Sequence, residues 1–395
     1  MADRLIRSET LAEIADAIRI KTDSGAAMAP GDMAALILQM GFCNMPGYHD
    51  SEAVAVMDRI RDLQAGGGNF LVFGVMADSH VHMDAALTQV SARHGAFAME
   101  IVGRWAGCTF LADLGDNGWE GEPEGAAYLN RCIAAGFSHI RSYRLVGECD
   151  WASDPEQVYA QIGIHNVFDA AAATARRGFG YTDYEAGKVR LIVLNTSDCC
   201  GASAGYGMSY EQKDFLLRAL DLSEKDDSSQ WQILLLSHYP LDYPGDGCYN
   251  TAAEIKTILN AYQNGNTVLV PVNSDYAAAE GEAPAAYATY SNGYLVYDYS
   301  EINTPRIIGN FHGHVHNASY GNMAGHGVLR VASPNACFYL ENGSVEELYT
   351  VDAAQPKTEN SAEDTAVTFY AVDLDNHVIH SLAYGAGEDR EIPYS

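Results

Sequence analysis

Asp, Glu and His residues recur in five short segments of this chain. They are Asp78-Ser79-His80, Gly115-Asp116, Gly147-Glu148-Cys149-Asp150, His238 and Gly313-His314-Val315-His316. Carboxylate oxygens and neutral imidazole nitrogens are ligands for divalent cations. The candidates are Asp78, His80, Asp116, Glu148, His238, His314 and His316. Two metals are the natural count for so many ligands, since one carboxylate can span two cations a few ångströms apart. Such a pair clamps an anionic substrate and supplies hydroxide at neutral pH.

Ligands so far apart in sequence need elements that bring them together. Four of the five segments follow an apolar run that reads as a buried strand: residues 70–77, 108–114, 231–236 and 306–311. In α/β sheets, side chains beyond the carboxyl ends of strands converge on one crevice. The third segment has no such run before it.

Taken in order, the five segments resemble the calcineurin-like metallophosphoesterase superfamily, whose pattern is D-x-H, G-D-x-x, G-N-H-[DE], a lone His and G-H-x-H. The resemblance covers residues 68–345. It implies an α/β sandwich of two mixed β-sheets flanked by helices. It implies hydrolysis of a phosphomonoester or phosphodiester by metal-activated hydroxide. Carried over by position, Asp78, His80, Asp116 and His316 would hold one metal. Asp116, Glu148, His238 and His314 would hold the other, with Asp116 bridging. Relatives with a tyrosinate-bound ferric ion carry Tyr three residues after the bridging Asp, where this chain has Trp119. Mn, Zn, Fe(II) and Mg therefore stay open.

The third segment departs from the pattern. The metal-binding Asn becomes Glu148, a competent ligand that adds a negative charge. Three carboxylates against two dications leave about one positive charge, where the family leaves about two. The family's substrate-contacting His, assigned as a general acid, becomes Cys149. A thiol with pKa near roughly 8.5 is a poorer donor to a leaving alkoxide and brings no positive charge. The catalytic candidates are thus Cys149 and Asp150, with metal binding expected and activity reduced or altered. A misaligned block would hand the histidine's role to His139 or His165. His82, His312 and Asp113 lie close to ligands in sequence and read as supporting or outward-facing residues.

Composition narrows the partners. The chain has 395 residues, with 23 Lys and Arg against 52 Asp and Glu, a formal net charge of −29. It lacks the basic footprint of non-specific nucleic-acid binding. Its apolar runs fall short of a membrane span. No secretory h-region is visible at the start, so a cytoplasmic or virion-associated protein is expected. Eight cysteines without a CxxC pair read as reduced thiols.

Three regions follow. Residues 1–46 read as two short helices. They resemble a module near the ends of phage tail and prophage structural proteins, through Ile14-Ala15-Asp16-Ala17-Ile18-Arg19-Ile20-Lys21-Thr22, Met28, Pro30, Met33-Ala34-Ala35 and Ile37. That implies contact with a phage particle or a second copy of the chain. It also keeps open an alternative: a phage structural or binding protein with a weakly active or inactive metal-binding domain. Residues 50–350 form the phosphoesterase-like domain. Residues 351–395 hold a strand hairpin expected to pack on it.

Overall fold

The computed structural model describes residues 45–119, 123–136, 140–150, 166–169, 178–198, 206–243, 251–272, 293–302, 305–337, 339–340, 348–349 and 357–395. The helical reading of residues 1–46 and its implied partners lie outside them save for positions 45 and 46, as do His139 and His165. The chain divides into two compact units, Met1–Asp50 and Ser51–Ser395. The second carries all seven candidate ligands.

In chain order the elements are α1 (Gly47–Ala65), β1 (Phe70–Met76), α2 (Ala86–Trp105), β2 (Phe110–Asp113), α3 (Pro123–Gly136) and β3 (Ser142–Arg144). Next come β4 (Gly180–Tyr184), β5 (Val189–Val193), α4 (Tyr210–Ala219), β6 (Gln232–Ser237), α5 (Thr251–Gln263), β7 (Thr267–Pro271) and β8 (Tyr294–Asp298). The remainder are β9 (Arg306–His312), β10 (Ser319–Asn322), β11 (Leu329–Ala332), β12 (Tyr339–Leu340), β13 (Leu348–Tyr349), β14 (Ala366–Asp373), β15 (Val378–Gly385) and β16 (Arg390–Pro393).

Two six-stranded mixed sheets dominate, ordered β16-β15-β14-β1-β2-β3 and β10-β11-β9-β6-β5-β4. The continuous apolar runs of β1 and β6 are explained by burial on both faces. Alternate side chains point to opposite faces. Thus Leu71, Phe73 and Val75 of β1 join Leu191, Leu234, Leu236 and Phe311 in a core between the sheets. Val72 and Met76 face outward to Met99 and Val102 of α2. On the second sheet, Ile192, Ile233 and Leu235 face Leu216, Ile255 and Leu259 of α4 and α5. Truncating a core leucine such as Leu234 to Ala typically costs about 2–5 kcal/mol. Gly74 is required by this layering. A Cβ there would stand 2.8 Å from the Phe369 ring and 3.0 Å from Leu111 and Met99.

α4 begins where Ser209 accepts the Gln212 N–H, an N-cap worth about 1 kcal/mol. It stops at Ala219, shorter than the residue pattern over 209–222 suggests. The C-terminal hairpin is not an appendage. β14 pairs antiparallel with β1, from Phe70↔Asp373 to Val75↔Thr368, and so sits inside the first sheet. Among the described residues, no helix is long and apolar enough to cross a membrane.

Candidate metal centre

β1, β2 and β3 run parallel to one another, as do β5, β6, β9 and β11. The loops leaving β1, β2, β3, β6 and β9 carry the five segments. β3 is three residues long, too short to show as an apolar run, yet it delivers Gly147 to Asp150. Backbone bonds tie the loops together. The Asp78 N–H donates to Gly115, His80 N–H to Asp116, and Gly313 N–H to His238, at 2.9–3.0 Å.

Five of the seven candidates adopt left-handed backbone: Asp78 (φ 51°), His80 (40°), Asp116 (55°), His314 (67°) and His316 (59°). Non-glycine residues rarely do this, and each instance costs on the order of 1 kcal/mol. Such strain persists where surrounding contacts over-determine it, and it clusters at functional sites.

The side chains form two adjoining groups. Ligand atoms of Asp78, His80, Asp116 and His316 lie within 4.8 Å of one another, and so do those of Glu148, His238 and His314. In the first group His80 Nε2 and His316 Nε2 are 3.0 Å apart. In the second, Glu148 reaches His238 Nε2 at 2.7 Å and His314 Nδ1 at 2.8 Å. Asp116 joins them, with Oδ2 3.6 Å from His80 Nε2 and 3.5 Å from His238 Nε2. His238 Nδ1 donates to the Leu114 carbonyl at 2.9 Å, which turns Nε2 toward the site. Asp78 Oδ2 and Asp116 Oδ2 are buried without a hydrogen-bond donor. A buried carboxylate oxygen with no partner is costly. A mixed oxygen and nitrogen set with orphaned, converging carboxylates fits divalent cations.

Electrostatics agree. Burial pushes the Asp78 carboxyl up to about 7, against the opposing charge of His238. Burial also raises Asp116 well above the carboxylate range. Burial would raise Glu148 too, but the charges and hydrogen bonds of His238 and His314 hold it far below its ordinary value. Burial opposes charge on His238, yet Asp116 and Glu148 outweigh it and raise its pKa. His80 is lowered by burial and by His316, and His316 falls to about 4 by burial and the His314 charge. Such a cluster cannot carry its ordinary charges unaided. Cations in place of protons would resolve it.

Around the ligands stands a scaffold that residue types alone do not reveal. Asp150 accepts the backbone N–H groups of Asp116 (2.9 Å), Asn117 (2.8 Å) and Gly147 (3.1 Å), and the Asn117 side chain at 3.0 Å. These bonds hold the Asp116 loop. Arg144 bonds Asp113 at 3.0 Å and Asn117 at 3.0 Å, which explains why Asp113 turns away from the ligands. Adjacency of Asn117 to Asp116 was the one signal available for this network. A Cβ on Gly147 would collide with the Asp116 carboxylate, so the glycine is obligatory.

Cys149 is half-buried, and its N–H donates to Asp116 Oδ1 at 2.9 Å. Burial and the surrounding carboxylates push its thiol far above the usual range. His312 is buried and bonds the Gly313 carbonyl, outside both ligand groups. His82 packs against Trp119, whose ring also lies 6.2 Å from that of His80. On the other side, Tyr239 and Tyr243 stand 4.0 and 4.8 Å from the His314 ring.

No protein-family profile matches the sequence, and no curated protein is similar to it by sequence. Comparison with solved structures gives one of shared architecture and two more distant likenesses. A dimetal phosphatase from Danio rerio aligns over 82% of this chain and 99% of its own, with 12% identity and TM-score 0.50. A 5′-nucleotidase precursor from Thermus thermophilus aligns over 82% of this chain and 54% of its own, with 13% identity and TM-score 0.36. An NAD nucleotidase from Haemophilus influenzae gives 82% and 50%, 11% identity and TM-score 0.35. The chain thus has the mixed α/β fold of a dimetal phosphatase, with candidate ligands for divalent metal ions clustered where its strands end.

Proposed function

We propose that this protein hydrolyses phosphate esters at a pair of divalent cations. Asp78, His80, Asp116 and His316 hold one, Asp116, Glu148, His238 and His314 the other. The observation that carries this reading is Asp116 Oδ2: buried, without a donor, and within 3.6 Å of an imidazole nitrogen from each group. When bound, two such cations supply Lewis-acid charge and a nucleophilic water at neutral pH.

The chain's own residues do the rest. His238 is fixed through Leu114 so that Nε2 faces the site. The loop held by Asp150 keeps Asp116 in its left-handed conformation. Trp119, Tyr239 and Tyr243 flank the imidazoles and give a substrate apolar walls. Cys149 stands at the position for protonating the leaving group and is a weak acid there. Esters that leave without a proton are therefore the better substrates.

The test is Mn- or Zn-dependent hydrolysis of p-nitrophenyl phosphate and its bis ester, with metal content measured alongside. Wild type should turn over with about two ions bound, and Asp116→Asn should lose both. Turnover equal in wild type and Asp116→Asn would refute the proposal.

A further inference from the structure

Cations are scarce in this protein, 23 against 52 anionic side chains. Those described near the ligand loops are mostly neutralised. Arg144 pairs with Asp113 at 3.0 Å and Arg330 with Asp242 at 3.1 Å. Lys357 differs. Its Nζ donates to the Asn335 carbonyl at 2.8 Å, and among the described residues no carboxylate pairs with it. An ammonium has three donors, so two remain to be placed.

Its location is fixed from two sides. The Asn335 N–H reaches the His316 carbonyl at 3.4 Å, and the Lys357 charge acts on the His316 ring. On the other side Lys357 faces Cys337, whose thiol neighbours Ser79, the residue between Asp78 and His80. Lys357 is thereby bracketed by two of the three segments that build the first ligand group, those of Asp78-His80 and His316. Holding a half-buried ammonium there without a counter-charge is costly, and burial pushes it down to about 8. Such a cost is repaid if an anion arrives.

The charge balance says which anion. Asp78, Asp116 and Glu148 against two dications leave about one positive charge, and one lysine returns the total to about two. We propose that Lys357 is a substrate-binding residue whose ammonium contacts the anionic oxygens of a phosphate ester, replacing the positive charge that Glu148 cancels. The inference rests on the phosphoesterase reading and adds a preference: a monoester dianion gains more from this charge than a diester monoanion.

Orthophosphate is the probe. Its binding to Mn-loaded protein is measured by calorimetry, with Mn stoichiometry by electron paramagnetic resonance. Lys357→Gln should weaken phosphate about 10-fold with Mn stoichiometry unchanged, and Lys357→Arg should retain most of the affinity. Adding Glu148→Asn to Lys357→Gln should restore binding. For p-nitrophenyl phosphate, Lys357→Gln should raise KM more than it lowers kcat. Phosphate affinity within twofold of wild type in Lys357→Gln would overturn the inference and leave the phosphoesterase reading standing. Loss of Mn from both Lys357 variants would overturn it too, assigning Lys357 to the scaffold. A wild type that binds Mn but no phosphate would remove both readings.

Discussion

Cys149 bears on the proposed reaction through its acidity. Its backbone steadies Asp116 Oδ1, but burial, and then the surrounding carboxylates, raise the pKa of its thiol. Cys149→His should therefore raise turnover of alkyl phosphates, whose leaving groups need a proton, by about 10²-fold or more. Turnover of p-nitrophenyl phosphate should change little. Steady-state rates on the two substrates check this, and equal effects on both would count against a proton-donor position. Asp150 should behave differently, because it acts on backbone. Asp150→Asn puts an amide where a carboxylate receives converging N–H groups, and each lost charge-assisted bond is worth about 1.5–3 kcal/mol. Metal affinity should fall, read from a Mn titration, while esters with good and poor leaving groups suffer alike. The clustering of the seven candidates was legible, because Asp and His in that order have few other uses. Asp150's part and the five left-handed ligands were not. They depend on which N–H groups the folded loops leave over, and no residue type announces that.

The strands that carry ligands were legible for a related reason: a strand buried on both faces must be apolar throughout, as in β1, β6 and β9. β3 escaped notice because three residues carry no period. α4 ends at Ala219 although Leu220 and Leu222 beyond it are buried too, so the apolar pattern outruns the helix. β9 ends in His312, which burial holds at about 4 while its Nδ1 bonds the next carbonyl. The sign follows from linkage. Between about 6.5 and about 4 the unfolded chain takes a proton that the folded chain refuses. Stability contributed by neutral His312 is therefore present above 6.5 and lost as pH falls, by about 1.4 kcal/mol per unit. His312→Gln should show a smaller drop in urea midpoint between pH 7 and pH 5 than wild type. An identical drop in both would remove His312 from the account.

For the whole molecule, a formal charge of −29 surrounds a site proposed to take anions. The long-range field opposes phosphate while the cations attract it locally. Raising ionic strength from about 0.02 to 0.2 M shortens the Debye length from roughly 20 to 7 Å and screens the repulsion first. KM for p-nitrophenyl phosphate should therefore fall with added salt, by a few-fold; a rise would mean that attraction dominates at range. The sandwich was legible through the family resemblance, with which the alternation of strands and helices agreed. The place of the C-terminal hairpin inside the first sheet was not, since no local pattern names a strand's partner. That placement has a consequence for synthesis. β1 presents an apolar edge from Phe70 to Met76, and its partner β14 leaves the ribosome about 300 residues later. At roughly 5–20 residues per second the strand that carries Asp78 waits some 15–60 s for the edge that closes it. During that interval the nascent chain exposes a sticky β-edge, and a cell making this protein must shield that edge until translation is nearly over.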